Sequence, residues 1–191
     1  NRLWGVRVRA KIRKRLTGKT AFWVAGLSGI DNSGTVQLPR PSSDPTPEEE
    51  AEAAAGALGV NDIRFLDLGD YPLKLDRDAQ DQMVDIIREV QPKWMMSHSK
   101  WDPYNTDHMD TTQFALQCRM IAQAWGHNPG EKVLGAPQLY LFEPHQTEQM
   151  EWKPNVFLDI TQVWDKKRAA IECMQGQEHL WNFYTNVAEN R

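Results

Sequence analysis

From residue 46 onward, short apolar runs typical of strands alternate with longer segments that have the apolar spacing of helices. Helix signals lie at 46–59, 76–90, 110–126 and 163–189, the last with a kink expected near Gly176. Strand-like runs lie at 63–68, 93–98, 137–144 and 155–161. Strands that alternate with helices predict an α/β fold with a mostly parallel sheet.

The first of these helices has the clearest boundaries. Thr46 followed by Glu49 is a capping-box pattern, and Pro47 suits the first helical position. The helix is expected to stop near Gly59, because glycine readily adopts the backbone conformation that ends helices.

Residues 1–44 differ in character from the rest of the chain. The first 40 residues have nine Lys or Arg and one acidic residue, although the whole chain has a net charge of −4. The run RVRAKIRKRL, residues 7–16, is interpreted as either a basic amphipathic helix or a solvated arm. TAFWVAGLSGI, residues 20–30, is a candidate buried strand, and QLPRPSSDPTP, residues 37–47, has the composition of a linker.

Composition excludes several classes of protein. Cys118 and Cys173 form no CxxC pattern, so neither a disulfide framework nor a cysteine zinc site is indicated. No apolar run approaches the ~20 residues of a membrane span, and no secretory signal is visible. The net negative charge argues against a nucleic-acid binder. We expect a cytoplasmic protein with neither a nucleic-acid nor a membrane partner.

Ligand-capable side chains are concentrated in HSKWDPYNTDH, residues 98–108, directly after a predicted strand. In open α/β sheets, ligands bind beyond the carboxyl ends of the strands. Histidine and carboxylate groups are typical ligands of catalytic zinc. The candidates here are His98, Asp102, Asp107 and His108. Spacing alone leaves open that the two aspartates cap a turn and a helix, and that the two histidines are polar loop residues.

A second polar run, FEPHQ at 142–146, follows the next predicted strand along the chain. His145 in this run could act as a general acid or base, because its unperturbed pKa is near ~6.5. A surface histidine in a polar loop explains the run equally well. If both strands belong to one parallel sheet, the two polar runs converge on one pocket.

Four stretches resemble a known family. They are LGDYPL (68–73), VQPKWMMSHSKWDPYNTDH (90–108), GAPQLYLFEPHQTEQMEWKPNVFLDIT (135–161) and VWDKKRAAIECMQGQEHLW (163–181). The run that ends in His108 resembles the third motif of the PIG-L (LmbE-like) zinc-dependent deacetylases. All four together are similar to the branch of 4-oxalomesaconate hydratases that act in gallate and protocatechuate degradation. The resemblance covers residues 48–191.

This resemblance implies a Rossmann-like three-layer α/β sandwich with one zinc ion per subunit. It implies a hydro-lyase that adds water to a small polycarboxylate oxo-acid, 4-oxalomesaconate, to give 4-carboxy-4-hydroxy-2-oxoadipate. A homo-oligomer is left open. The alternatives are a zinc-dependent N-acetyl deacetylase of the PIG-L type and an inactive fragment or pseudoenzyme.

The resemblance also assigns roles to single residues. His108 matches the zinc ligand of the third motif, and Asp107 matches the adjacent acidic position, which we assign to catalysis. Asn105 stands where many deacetylases of the family have a histidine that assists amide hydrolysis. His145 matches a histidine of the hydratase branch that is placed for acid–base work.

Four residues around these positions are assigned to substrate binding or to orienting the ligands: His98, Asp102, Tyr104 and Asn105. The substrate has several carboxylates, so cationic groups are expected in the pocket. Lys100 and Arg119 are the candidates for that role.

The first motif of the family is missing from the expected place. It is a His-Pro-Asp-Asp or His-Ser-Ala-Asp run that supplies two further zinc ligands, whereas residues 1–44 contain no histidine. The chain therefore divides into an unmatched segment, residues 1–44, and a PIG-L-like α/β domain, residues 45–191, that is cut short at its C-terminal end. We expect a fragment that binds zinc poorly and has little activity as written.

Overall fold

The structure is a computed structural model that describes residues 44–69 and 72–191, together with the backbone of two strands at 6–10 and 21–26. The strands within these ranges are β1 (Val6–Ala10), β2 (Ala21–Gly26), β3 (Ile63–Phe65), β4 (Trp94–Ser97) and β5 (Gln138–Leu141). The α-helices are α1 (Pro47–Ala57), α2 (Arg77–Val90), α3 (Thr106–Gln123), α4 (Trp164–Glu172) and α5 (Trp181–Glu189). Within the same ranges, no helix is long and apolar enough to cross a membrane, and the cytoplasmic location stays a prediction.

The strands form one sheet in the order β3-β1-β2-β4-β5. β2 pairs in parallel with β4, and β4 pairs in parallel with β5. β1 is antiparallel to both of its neighbours. The predicted α/β class is confirmed, and the parallel part of the sheet consists of β2, β4 and β5.

The chain groups into two compact units. The first contains β1, β2 and residues 62–152, and the second contains residues 44–61 and 153–191. The division at residue 44 that the sequence suggested stays a prediction.

The core of the first unit lies between α2, α3 and β4. Met83 and Ile87 of α2, Met95 of β4 and Phe114 of α3 are all buried in it. Burying each such side chain stabilises the unit by about 1.5–3 kcal/mol. Cys118 of α3 belongs to the same core, and its burial raises the pKa of its thiol to about 12. It packs as a small hydrophobic residue.

The second unit is built on α1 and α4, which pack against each other. The predicted capping box is present: Thr46 Oγ1 accepts from the Glu49 amide at 3.3 Å, and the Glu49 carboxylate accepts from the Thr46 amide at 2.7 Å. Pro47 is the first residue of the helix. Glu50 is also buried, and its carboxylate accepts the amide proton of Gly176 at 2.8 Å.

The prediction for the basic N-terminal run was wrong where it can be compared. Val6–Ala10 is a strand, neither a helix nor a solvated arm. In VRVRA, β-branched valines alternate with arginines, a period of two that suits a strand. The strand expected within 20–30 is confirmed as β2. Residues 37–43 of the expected linker lie outside the described residues.

The strand predicted at 155–161 is also wrong. Residues 155–160 form no ladder, and Thr161–Val163 is a 3₁₀ turn. Asp159 explains the break, because its carboxylate accepts the Thr161 amide proton at 2.9 Å and so offers the backbone an alternative to pairing. The last predicted helix is two helices, α4 and α5, separated by a 3₁₀ segment that bends at Gln177.

Candidate functional site

The polar residues gather beyond the carboxyl ends of two adjacent parallel strands. β4 ends at Ser97 and β5 at Leu141, and these two residues are paired in register. The amide of Phe142 donates to the carbonyl of Ser97 at 3.0 Å, so the two chains leave the sheet side by side. The runs 98–108 and 142–146 are therefore brought together, as the sequence analysis expected.

α3 begins earlier than the sequence indicated, at Thr106 and not at residue 110. Asp107 and His108 consequently lie in its first turn and not in a loop. Asn105 is the N-cap residue, without a side-chain cap bond, so the interpretation of Asp107 as the cap is wrong. Asp107 is buried, at a helix end where the dipole favours a negative charge.

Hydrogen bonds hold the start of α3 against the end of β4. The Thr112 hydroxyl donates to the carbonyl of His98 at 3.0 Å and lies 2.9 Å from the Ser97 hydroxyl. All three residues are buried. Thr112 is a site residue that sequence reasoning missed, although a threonine among the apolar positions of a helix was a usable signal.

Asp102 and His108 form the central pair of the site. Asp102 Oδ2 lies 2.8 Å from His108 Nδ1, and the aspartate is only 1% exposed. Its second oxygen, Oδ1, is buried without a hydrogen-bond partner among the residues that the structure describes. With Nδ1 held by the carboxylate, Nε2 is the nitrogen of His108 that remains for a ligand.

Aromatic contacts fix the plane of the His108 ring. The ring of His98 stacks on it with a centroid distance of 3.9 Å and an interplanar angle of 7°. Phe142 meets the His98 ring edge-on at 4.7 Å. His98 thus packs between Phe142 and His108, and its stacked ring fixes the orientation of the His108 ring.

His145 lies in the turn after β5 and is half-buried. Its pKa is lowered, first by burial and then by the nearby His108, whereas Asp102 acts in the opposite direction. Burial and His108 thus favour the neutral form of the His145 ring, and the ring is electrostatically coupled to the central pair.

The remaining predicted residues lie at the rim or elsewhere. Asn105 is buried next to the pair, and Tyr104 is 41% exposed, with its hydroxyl donating to Gln149 Oε1. Lys100 is exposed near the rim. Arg119 is not in the site: its guanidinium donates twice to the carbonyl of Pro137, which precedes β5, at 3.1 and 2.7 Å.

The donor set fits one part of a metal site. A histidine that gives its Nδ1 proton to a carboxylate is the usual arrangement of a metal-binding imidazole, and Asp102 with His108 matches it. Across strands β1 and β2 and residues 44–69 and 72–191, no group of three or more His, Cys, Asp or Glu could hold a metal ion. His108 is thus a single candidate ligand, and a complete site is not formed by these residues.

Fold and site together define an α/β protein with a histidine–carboxylate cluster at the carboxyl ends of parallel strands. The family model of GlcNAc-PI de-N-acetylase, PIG-L, matches residues 18–119, just over half of the chain. The chain belongs to the PIG-L family, whose members are generally zinc-dependent. The match extends from before β2 to within α3 and includes the run 98–108.

Comparison with individual proteins shows which members of the family the chain resembles. The chain is 57% identical over 143 residues to 4-oxalmesaconate hydratase of Pseudomonas putida, covering 75% of this chain and 55% of that protein. The crystal structure of the 4-carboxy-2-hydroxymuconate hydratase from Pseudomonas putida KT2440 superimposes with a TM-score of 0.70 at 57% identity, covering 74% of this chain and 58% of the other. Diacetylchitobiose deacetylase of Thermococcus kodakarensis is 27% identical over 144 residues, covering 71% of this chain and 52% of that protein. The chain thus spans about half the length of the relatives it matches.

Proposed function

We propose that this chain carries part of the active site of a hydratase that adds water to 4-oxalomesaconate. The observations that carry the proposal are that the run containing His145 leaves the sheet beside the run containing the Asp102–His108 pair, and that the chain is 57% identical to 4-oxalmesaconate hydratase. The similar deacetylase is far more distant, at 27% identity. Asn105, in place of the histidine that assists amide hydrolysis, also favours hydration.

Hydration of a conjugated oxo-acid requires a base for water and a proton for carbon. A neutral His145 can take a proton from water while the water oxygen bonds to one carbon of the double bond. The electron pair of that double bond moves into the conjugated carbonyl, which becomes an enolate. The protonated His145 can then return its proton to the adjacent carbon, so that one molecule of water is added in total.

Polar groups close to the Asp102–His108 pair are suited to a substrate with several oxygen atoms. Asn105 can donate from its buried amide. Tyr104, which is partly exposed and gives its hydroxyl proton to Gln149, lies beside it at the end of the 98–105 loop. Asp107, buried in the first turn of α3, is assigned to the proton-transfer machinery. The exposed Lys100 is the cation near the rim that we expect to attract a polycarboxylate.

We propose that the metal of this site is zinc, with one ion per subunit in an intact family member, and that His108 supplies Nε2 as one ligand while Asp102 holds the ring. Such an ion supplies a lowered pKa for bound water or polarises a carbonyl. Metal analysis of the purified protein, compared with the His108→Ala variant, tests this. We expect a substoichiometric zinc content that falls further in the variant, and equal zinc in both proteins would contradict the assignment.

The hydratase proposal is tested by following the loss of 4-oxalomesaconate and the appearance of 4-carboxy-4-hydroxy-2-oxoadipate. Because low activity is predicted for this chain, its rate is compared with that of the His145→Ala variant and not only with a reaction without protein. We expect hydration that falls by about 10²–10⁴-fold in that variant. Release of acetate from N,N'-diacetylchitobiose without any hydration would favour the deacetylase instead.

A further inference from the structure

The turn that follows His145 has an unusual backbone. Its 3₁₀ segment, Thr147–Met150, is bracketed by Gln146 with φ 58° and Glu151 with φ 51°. Both lie in the left-handed region, which residues with side chains rarely adopt. Such positions persist where surrounding contacts hold them. The backbone next to His145 therefore depends on its contacts.

Contacts within the turn provide part of that support. Thr147 is buried, and its carbonyl accepts the amide proton of Trp152 at 3.2 Å. The amide of Gln149 donates to the carbonyl of Gln146 at 3.0 Å. The side chain of Gln149 adds a second bond to the same residue, from its Nε2 to Gln146 Oε1 at 2.7 Å.

Gln149 also reaches the other loop of the site. Its Oε1 accepts the hydroxyl proton of Tyr104, which lies four residues before His108. One amide group thus joins the left-handed residue beside His145 to the loop that leads into α3. The two polar atoms of the Gln149 side chain make different bonds: the oxygen accepts from Tyr104 and the nitrogen donates to Gln146.

We propose that Gln149 is a positioning residue that fixes His145 relative to the Asp102–His108 pair. It acts through Gln146, the immediate neighbour of His145, and through Tyr104. The catalytic meaning of this role rests on the proposed function of His145. The link itself is a property of the fold and can be tested without substrate.

The test compares Gln149→Ala, Gln149→Glu and Tyr104→Phe with the parent protein. Glutamate keeps an acceptor for Tyr104 but cannot donate to Gln146, so it breaks one half of the link. Gln82→Ala, an exposed glutamine of α2, is the matched control. The readouts are the NMR resonances of the His145 ring, deuterium exchange of the 147–152 amides, and kcat and KM for hydration.

The alanine and phenylalanine variants are expected to shift the His145 ring resonances and to speed exchange in the turn about threefold to tenfold, the range of one or two exposed hydrogen bonds. Kcat should fall by a similar factor in Gln149→Ala, with a smaller change in KM, and Gln149→Glu should lie between. Gln82→Ala should change nothing. The double variant, with Gln149→Ala and Tyr104→Phe together, should shift the His145 resonances no more than Gln149→Ala alone, because Gln149→Ala already removes the bond to Tyr104.

Unchanged His145 resonances and unchanged exchange in Gln149→Ala would overturn the positioning role, whatever the activity. If the resonances respond but the parent protein hydrates no substrate, the link stands and the hydratase proposal fails. If hydration is present and the resonances respond while kcat stays at the parent value, Gln149 is structural and the proposal is wrong.

Discussion

The two ends of α3 use charged side chains in opposite ways. At its C-terminal end, Arg88 of α2 donates to the carbonyls of Ala122 and Ala124 at 3.2 and 2.9 Å and pairs with Glu131 at 2.9 Å. At its N-terminal end, Asp102 is equally buried, yet one of its oxygens meets no donor among the described residues. Full pairing of Arg88 stabilises the fold, whereas the unmatched oxygen of Asp102 lies in the candidate site, where it can accept a hydrogen bond from a ligand.

The largest effect should come from breaking the paired end. Arg88→Ala leaves two carbonyls at the end of α3 without donors and should cost about 2–4 kcal/mol in the free energy of unfolding. Arg77→Ala is the matched control, because the Arg77 side chain is 69% exposed and its pair with Asp81 is worth less than about 0.5 kcal/mol. Urea unfolding measures both, and equal losses would remove the contrast between buried and exposed guanidinium groups.

The next largest effect is expected from Asp102, near the N-terminal end of α3. Asp102→Asn should lower kcat/KM for hydration by about 10–100-fold, the usual effect of replacing a group that orients a metal-binding histidine. The free energy of unfolding should change by less than about 1 kcal/mol, because the asparagine oxygen can keep the bond to His108 Nδ1 and Oδ1 has no bond to lose. A loss of stability above that limit, with activity retained, would make Asp102 a structural residue like Arg88.

The helices of the fold, and the meeting of the two polar runs, could be predicted from the sequence. The apolar spacing in 76–90 indicated the buried face of α2, and Thr46, Pro47 and Glu49 indicated the start of α1. These signals are local, since a helix face and a cap each involve residues three or four positions apart. The convergence of 98–108 and 142–146 was predictable too, because it follows from parallel strands alone.

Other features depended on contacts that sequence spacing does not contain. The start of α3 at Thr106 was missed because Pro103 and the polar run before it suggested a longer loop. The stacking of His98 on His108 and the bond of Tyr104 to Gln149 join residues 10 and 45 positions apart. Arg119 was considered for substrate binding because of its charge, but its guanidinium lies at the amino end of β5, whereas the site lies beyond the carboxyl end of that strand.

Two neighbouring threonines in α3 allow the same comparison, between a buried polar group with partners and one without, with smaller expected effects. Thr112→Val loses bonds to Ser97 and His98 and should cost about 1–2 kcal/mol. Thr111→Val removes a buried hydroxyl that has no partner within the described part of the chain, and should stabilise the protein by up to about 1 kcal/mol. Thermal unfolding of the two variants should move in opposite directions. A shift in the same direction would show that burial alone, not pairing, decides the effect.

The smallest effect is the pH dependence that His145 contributes. Its pKa is lower in the folded protein than in the unfolded chain, so the unfolded chain binds more protons as the pH falls through the usual histidine range. The free energy of unfolding should therefore decrease as the pH falls from neutral through the unfolded pKa, until the folded pKa is reached. His145→Gln should lack this part of the dependence. Identical pH profiles for the two proteins would contradict the lowered pKa.

The order of strands in the sheet has a consequence for synthesis of the chain. β2 pairs on one side with β1, close to it in sequence, and on the other with β4, where Ala21 faces Trp94. Pairings between distant residues form slowly, because a long loop must close first. β2 also precedes β4 by about 70 residues in the sequence, so it leaves the ribosome well before β4 does. During that interval its outer edge is open to other chains, and we expect nascent protein to depend on chaperones until residues 94–97 arrive.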